Sequence, residues 1–60
     1  MGMIFPSGIF ITPYEDGRMR YLILAQEGEY CTVLGVSGIL SGDILILPLD
    51  YLRIHYVEAL

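Results

Sequence analysis

Turn-forming residues interrupt this chain at short intervals, and this spacing limits how long any helix or strand can be. No segment of a dozen residues keeps the full i, i+3, i+4, i+7 apolar pattern of an amphipathic helix. Turn sequences fall at residues 6–8, 12–17, 27–29, 35–43 and 48–50. Between them, apolar and polar residues tend to alternate, and β-branched and aromatic residues are common, as in strands. The pattern predicts five strands, over residues 8–12, 18–26, 29–36, 43–47 and 52–58.

Five short strands in 60 residues, without an internal repeat or a linker, define the expected architecture. They predict one all-β domain that spans residues 1–60. Its strands form either a small five-stranded barrel or a curled antiparallel meander. The segment 18–36 is expected to lie at its centre.

That central segment has the clearest local signal, which is for a β-hairpin. We interpret Glu27 and Gly28 as a two-residue turn, which places Tyr21 opposite Leu34. A three-residue turn with Gly28 in the left-handed conformation would shift this register. With the two-residue turn, the face expected to form the core is Met19, Tyr21, Ile23, Ala25, Tyr30, Thr32, Leu34 and Val36.

The apolar content is too high for a domain of this size to bury. Hydrophobic residues make up 55% of the 60, which is 33 side chains. A domain of this size buries only about 60% of the surface that its unfolded chain exposes. The remainder predicts an exposed apolar patch, and such patches mark interfaces. Residues 44–47 are apolar on both sides, as in a strand covered on each face. We therefore expect a homodimer or a larger homo-oligomer with an interface formed by Leu22, Leu24, Ile44, Leu45, Ile46 and Leu47.

Pro48 is expected to end this strand, because proline has no N–H to give to the ladder. The sequence PLDY then predicts a tight turn. After the turn, alternation predicts a last strand with two faces, one formed by Leu52, Ile54 and Tyr56 and the other by Arg53, His55 and Val57.

Three short motifs resemble parts of the SH3 family. LPLDYLRIHYVEAL, residues 47–60, is similar to the end of that domain, where a proline, a one-turn 3₁₀ helix and a tyrosine precede the last strand. ITPYEDG, residues 11–17, resembles its Ala-Leu-Tyr-Asp-Tyr segment, and LSGDILIL, residues 40–47, resembles its acidic-loop lead into the second strand. The motifs cover less than half of the chain, and their spacing differs from the family's. The resemblance implies an SH3-like small barrel as the shape. It does not extend to the family's proline-peptide groove, since the chain has no tryptophan.

The charge balance argues against a nucleic-acid partner. The formal net charge is −4, with three basic side chains, all arginines, against seven carboxylates. Phosphate neutralisation by Lys and Arg supplies much of the affinity in nucleic-acid binding. Arg18 and Arg20 share a face of an extended strand, and Arg53 joins them if its strand lies alongside. A charged strand edge that discourages pairing explains this arrangement better than a phosphate site does.

Residues for catalysis, metal binding or cofactor binding are few. Cys31 and His55 are the only conceivable nucleophile and base, and a small buried thiol is the simpler interpretation of Cys31. No Cys/His spacing suggests zinc. The glycines of GVSGILSGD lack the phosphate-loop pattern. We therefore expect neither catalysis nor a metal nor a cofactor.

Membrane insertion and secretion are not expected either. The apolar segment 32–49 contains glycines, serines, Asp43 and a proline, and it predicts two strands and a turn. A spanning helix needs about 20 mostly apolar residues. The N-terminal sequence MGMIFPSGIF lacks the basic segment of a signal peptide. Because a lone cysteine cannot form an internal disulfide, the natural compartment is a reducing one, the cytoplasm.

Two classes of function remain. The first is a non-enzymatic interaction or assembly module that presents tyrosine and arginine to another protein. Tyrosine is enriched at interfaces because it combines apolar area with a polar tip, although β-propensity explains five tyrosines equally well. The residues expected to make this contact are Tyr14, Arg18, Arg20, Tyr51 and Arg53.

The alternative is a small acidic inhibitor that imitates nucleic-acid charge and blocks a basic binding groove. Mimicry needs carboxylates aligned on one face, whereas here they are scattered over separate turns. A net charge of −4 also gives weak electrostatic steering. We therefore favour the module over a mimic that would use Glu15, Asp16, Glu27, Glu29, Asp43 and Asp50.

Overall fold

The structure, a computed structural model, describes residues 6–59. Within them the chain forms one antiparallel sheet and one short helix, α1, over Leu49–His55. Residues 1–5, which are part of the segment considered for a signal peptide, lie outside the described residues. The strands are β1 (Phe10–Pro13), β2 (Arg20–Glu27), β3 (Tyr30–Ser37), β4 (Ile44–Pro48) and β5 (Tyr56–Glu58).

The spatial order of the strands is β4-β3-β2-β1-β5, and all neighbours are antiparallel. β4 and β5 are therefore the two edges, and the sheet is open rather than closed into a barrel. The prediction of a small all-β curled antiparallel meander is confirmed. The apolar segment 32–49 does form two strands and a turn, in which β3 pairs with β4.

The turn between β2 and β3 lies one residue later than predicted. Glu27 pairs with Tyr30, so the two turn residues are Gly28 and Glu29. Gly28 has a φ of 61°, and no non-glycine residue among those described has a positive φ. A positive φ at the first turn residue alone is the pattern of a type II′ turn, which calls for glycine at that position.

A β-bulge at Leu24 changes which side chains of the hairpin face the core. Ile23 lies opposite Val33, but Ala25 lies opposite Thr32, so Leu24 is an additional residue on β2. An additional residue reverses the alternation along its own strand. Leu24 and Ala25 are accordingly both exposed, although they are adjacent in sequence.

The expected core face is therefore right for the first half of β2 and wrong for β3. Tyr21 and Ile23 are buried, as predicted, but Tyr21 lies opposite Gly35 rather than Leu34. On β3 the buried side chains are Cys31 and Val33. The side chains predicted to fill the core from that strand are exposed or half-buried: Tyr30, Thr32, Leu34 and Val36.

The predicted last strand is wrong over its first half, because residues up to His55 are helical. α1 begins directly after Pro48, whose φ of −64° and ψ of 142° are extended. Leu49 and Leu52 are spaced i, i+3, which places them on one side of the helix, and Tyr56 follows as the first residue of β5. Leu52 is fully buried and Tyr56 nearly so, whereas Ile54, which was expected to share their face, is 65% exposed.

α1 covers one face of the sheet, which we call the inner face. Leu45 and Leu47 of β4 point to this side and pack against its core. The opposite side, the outer face, keeps its side chains exposed or half-buried among the described residues. The buried core of the inner face is Ile11, Tyr21, Ile23, Cys31, Val33, Leu52 and Tyr56.

Candidate functional site

Four strands contribute one apolar side chain each to a row that crosses the outer face. Phe10 of β1 lies opposite Leu22 of β2. Leu34 of β3 lies opposite Leu22 on one side and Ile44 of β4 on the other. Directly opposed residues in antiparallel strands have Cβ atoms about 4.5–5.5 Å apart. These four side chains therefore form a continuous strip, which we call the outer row.

The two ends of the outer row are the most exposed to water. Ile44 is 64% exposed and Phe10 is 41% exposed, while the two leucines between them are half-buried. Ile46 adds to the same face, opposite Thr32, and is 68% exposed. Large apolar side chains grouped in this way, rather than scattered singly, are the feature that distinguishes a contact surface.

The structure divides the six residues expected to form the interface into two groups. Leu22, Ile44 and Ile46 lie on the outer face, and Leu24 is exposed at the bulge. The other two, Leu45 and Leu47, pack against the core instead, because alternate residues of β4 point to opposite sides.

Sequence reasoning missed Phe10 and Leu34 as members of this surface. Phe10 lies between Ile9 and Ile11 in an apolar run, so its face follows only once the burial of Ile11 is known. Leu34 could not have been placed there, because its face depends on the register of the hairpin and hence on the bulge.

Polar residues bound the outer face at one end. Arg20 lies opposite Ser37, whose hydroxyl donates to the carbonyl oxygen of Arg18 at 2.9 Å. The hydroxyl of Thr12 donates to the carbonyl oxygen of Met19 at 2.7 Å. The apolar area therefore gives way to hydrogen-bonded polar groups, as at the rim of a contact surface.

A second candidate site is a depression of about 210 Å³ where the end of β1 meets the junction between α1 and β5. The backbone N–H of Tyr14 donates to the carbonyl oxygen of His55 at 2.9 Å and joins the two sides. We call this depression the tyrosine pocket. Its lining consists of Pro13, Tyr14, Glu15, Tyr51, Ile54, His55 and Tyr56.

Aromatic rings in contact with one another shape the tyrosine pocket. The ring centroid of Tyr51 is 4.6 Å from that of His55 and 6.0 Å from that of Tyr56. Tyr56 in turn contacts Tyr21 edge to face at 5.6 Å, which connects the pocket to the core.

Burial, together with the neighbouring Tyr21, raises the pKa of Tyr56 to about 12, so its hydroxyl stays protonated at neutral pH. Such a surface suits an apolar or cationic side chain.

The pocket unites Tyr14 and Tyr51, two of the five residues expected to contact a partner, but the arginines are not brought together. Arg18 lies before β2 rather than on it, and its Nε is 3.1 Å from Oδ1 of Asp16. The hydrogen bond from Arg18 lowers the pKa of that carboxyl. Arg53 is on α1, over the inner face, with Nη1 3.7 Å from Oδ1 of Asp50. Arg20 lies at the polar end of the outer face, so the sheet separates it from Arg53.

The carboxylates do not align into one charged strip. Asp16 and Asp50 are in ion pairs with arginines. Glu27 and Glu29 are at the β2–β3 turn, and Asp43 directly precedes β4. This distribution gives no support to imitation of a phosphate backbone.

Cys31 and His55 occupy environments that do not suit a nucleophile and its base. Cys31 is fully buried, and burial raises the pKa of its thiol, which disfavours the reactive thiolate. His55 is exposed at the end of α1. Within residues 6–59, no three His, Cys, Asp or Glu side chains are grouped so that they could hold a metal ion. The part of the chain that the structure describes contains no helix with the length and apolar character needed to cross a membrane.

Comparison of the chain with protein-family models, with curated proteins and with solved structures found no match. The outer row and the tyrosine pocket are therefore the two features on which a function can be argued.

Proposed function

We propose that this protein is a non-enzymatic assembly module that works as a homo-oligomer, at least a homodimer, held together through its outer row. The observation that carries the proposal is the strip of Phe10, Leu22, Leu34 and Ile44 across four strands. Fully burying an aliphatic or aromatic side chain of this size contributes about 1.5–3 kcal/mol. Covering the exposed parts of this strip therefore favours association by several kcal/mol before the cost of ordering two chains.

A second copy of the same sheet fits this surface. Two sheets pack face to face about 10 Å apart, with their strands within about 30° of one another. In a two-fold arrangement each copy offers the same strip to the other. The polar end of the face, at Arg20 and Ser37, then lies at the rim, where water still reaches it.

The proposal is tested by two matched substitutions on opposite sides of the sheet. Ile44 on the outer row and Ile54 on α1 are 64% and 65% exposed. We expect Ile44→Thr to shift the mass measured by light scattering towards the 6.7 kDa of one chain, because it removes apolar area from the strip but leaves the backbone unchanged. Ile54→Thr should leave the mass of the oligomer unchanged. A wild-type mass of one chain at tens of micromolar protein would refute the proposal.

The tyrosine pocket is the second contact surface in this proposal, and it receives an apolar or cationic side chain of another protein. Because α1 lies over the inner face, packing through the outer row leaves the pocket open in each copy. The support is the pair of exposed rings, Tyr14 at 67% and Tyr51 at 45%, beside the carboxylate-bearing Glu15. The lone buried thiol of Cys31 fits a reducing compartment, so we place the assembly in the cytoplasm.

A pull-down from the native host tests the pocket. We expect Tyr51→Ala to lose a partner that the wild type retains, while Ile44→Thr changes the oligomer but not the pocket. Recovery that persists at high salt indicates an apolar contact, and recovery lost at high salt indicates a charged one. Equal recovery of every partner with wild type and Tyr51→Ala would count against the pocket.

A further inference from the structure

Among residues 6–59, β4 pairs with β3 alone and is an edge of the sheet, and the register shows which of its backbone groups point away from β3. The N–H of Gly35 donates to the carbonyl oxygen of Asp43 at 2.8 Å, and the N–H of Leu49 donates to that of Glu29, also at 2.8 Å. Both bonds belong to the β3–β4 register, in which hydrogen-bonded and non-hydrogen-bonded pairs alternate. The odd-numbered positions of β4 therefore bond to β3. The N–H and C=O groups of its even-numbered positions point away from β3, towards the open side.

The even-numbered positions are Ile44, Ile46 and Pro48. Each isoleucine offers one donor and one acceptor to the open edge, while Pro48 offers only its carbonyl. An antiparallel second copy related by a two-fold axis at Leu45 places Ile44 of each chain opposite Ile46 of the other. Every N–H and C=O of these isoleucines is then paired, in four hydrogen bonds. If the axis passed through Ile46 instead, the carbonyl of Ile44 would face Pro48, which has no N–H.

The two edges of the sheet differ in their protection against such pairing. β5 is three residues long and carries Glu58, and short, charged strands are the usual safeguards of an edge. β4 is five residues long, from Ile44 to Pro48, and carries no charge. An uncharged edge whose donors and acceptors match those of its own copy favours self-pairing.

We propose that β4 pairs with β4 of a second copy about a two-fold axis at Leu45, so that two sheets become one continuous sheet of ten strands. This inference rests on the proposed function, because it extends the surface that holds the oligomer together. The axis is perpendicular to the sheet, so both outer faces lie on the same side. Ile44 of one chain then lies beside Ile46 of the other, and the two outer rows join into one apolar surface.

The area that a stable assembly needs to bury favours an oligomer that uses both the β4 edge and the outer row. A standard interface removes about 800 Å² from each partner, about a fifth of the 4055 Å² that this chain exposes. A strand of five residues is only about 17 Å long, so the edge alone buries less than this. Two such dimers packed through their joined outer rows form a closed tetramer with two kinds of two-fold contact. The expected mass is four times 6.7 kDa.

Disulfide trapping tests the position of the axis. In a Cys31→Ala background, we expect Leu45→Cys to give a covalent dimer on mild oxidation. Non-hydrogen-bonded antiparallel partners have Cα atoms about 4.5 Å apart, within the disulfide range of about 4.4–6.8 Å. Ile39→Cys, at a position that is 92% exposed in the β3–β4 connection, measures the yield from random collision. Packing through the outer faces alone cannot trap Leu45, because its side chain points to the inner face.

A cross-linked yield for Leu45→Cys no higher than that of Ile39→Cys overturns the edge pairing. If Ile44→Thr still lowers the mass of the otherwise wild-type protein in that case, the proposed function stands and only the edge pairing is wrong. A wild-type protein that has the mass of one chain overturns both.

A second variant makes the test independent of the new cysteine. Ile46→Pro removes an edge N–H that β3 does not use, so we expect the fold to persist by circular dichroism and the mass to fall to half of the wild-type value. Ile46→Val keeps the N–H and is expected to keep the wild-type mass. An unchanged mass for Ile46→Pro overturns the edge pairing.

Discussion

The inner and outer faces of the sheet are built from alternate residues of the same strands, yet they differ in what covers them. On β3, Val33 points inward and is fully buried, whereas its neighbour Leu34 points outward and is half-buried. Both are aliphatic. The difference comes from the chain after β4, since α1 follows Pro48 directly and packs over the inner face. Alternate residues of a strand thus define two faces of the sheet. Which face becomes buried within one chain depends on where the connection after β4 places α1.

The largest difference in stability between the two faces is expected when an isoleucine on each face is replaced by alanine. Ile23 is 1% exposed on the inner face, and Ile46 is 68% exposed on the outer face. We expect Ile23→Ala to lower the free energy of unfolding by about 2–5 kcal/mol, because it leaves a cavity. Ile46→Ala should change it by less than about 0.5 kcal/mol in the monomer. Urea unfolding at sub-micromolar protein measures both. Equal losses would mean that the outer face is covered within the monomer.

A smaller loss of stability is expected at Gly35, which is buried on β3. A Cβ added to Gly35 would overlap the backbone carbonyl oxygen of Leu40. Overpacking of this kind costs about 1–3 kcal/mol, so Gly35→Ala should lower the urea midpoint. Gly17 is the matched control, because a Cβ there has no atom within 4 Å and its φ is not positive. If Gly35→Ala were as harmless as Gly17→Ala, the Leu40 connection would not press on the inner face.

The pH dependence of stability tests the packing at the pocket end of the inner face. The pKa of Tyr56 is raised from 10.0 to about 12 in the folded protein, chiefly by burial. Its stabilising contribution is therefore complete below pH 10 and is lost as the pH rises from 10 to 12, since the unfolded state releases the proton first. We expect a loss of about 1–2 kcal/mol across this interval.

The matched variant for this measurement is Tyr56→Phe, followed by urea unfolding at pH 8, 10 and 12. The ring remains and the titrating hydroxyl is gone, so the difference in slope between the two proteins isolates Tyr56 from the other ionisable groups. Identical slopes would show that the hydroxyl of Tyr56 is solvated rather than buried.

The smallest effect on stability is expected in the β1–β2 connection, which lies on neither face of the sheet. Arg18 and Asp16 form an ion pair in the β1–β2 connection, where the Arg18 side chain is 93% exposed. Exposed ion pairs contribute little, because water screens the charges and the side chains lose freedom. Arg18→Ala should therefore leave the urea midpoint unchanged within error. A clear shift would mean that this connection helps to hold the sheet.

The sequence predicts the number of strands and most of their positions, because glycine, proline and alternation are local signals. It does not predict the bulge at Leu24, since an additional residue in a strand leaves no local mark in a run of aliphatic residues. The helix was predictable in part, because Leu49, Leu52 and Tyr56 have helical spacing. Against it, the charged Arg53 stands four residues after Leu49, where an apolar residue would be expected, and the alternation of Leu52, Ile54 and Tyr56 indicates a strand.

The residues of the candidate site were likewise predictable only where local sequence determines their position. The sequence could predict that one side of β4 stays uncovered, because residues 44–47 are apolar on both sides. It could not show that this side carries Ile44 and Ile46 rather than Leu45 and Leu47. Arg53 was to join Arg18 and Arg20 only if its strand lay alongside theirs, and in the structure Arg53 lies on α1 instead. Which residues meet across a sheet depends on register, and register is decided over the whole fold.

The pairing of β1 with β5 determines when the sheet can be completed. Ile11 lies opposite Glu58, so this ladder joins residues from opposite ends of the described chain, whereas β2 and β3 pair through a two-residue turn. A hairpin of that kind closes in about 1–10 μs, while pairing between distant segments must first overcome the entropy of a large loop. During synthesis, Tyr21 and Ile23 are made early but remain uncovered until α1 and β5 have followed. For that interval the nascent chain exposes apolar side chains on both faces of its hairpin, and the later arrival of α1 covers only the inner face.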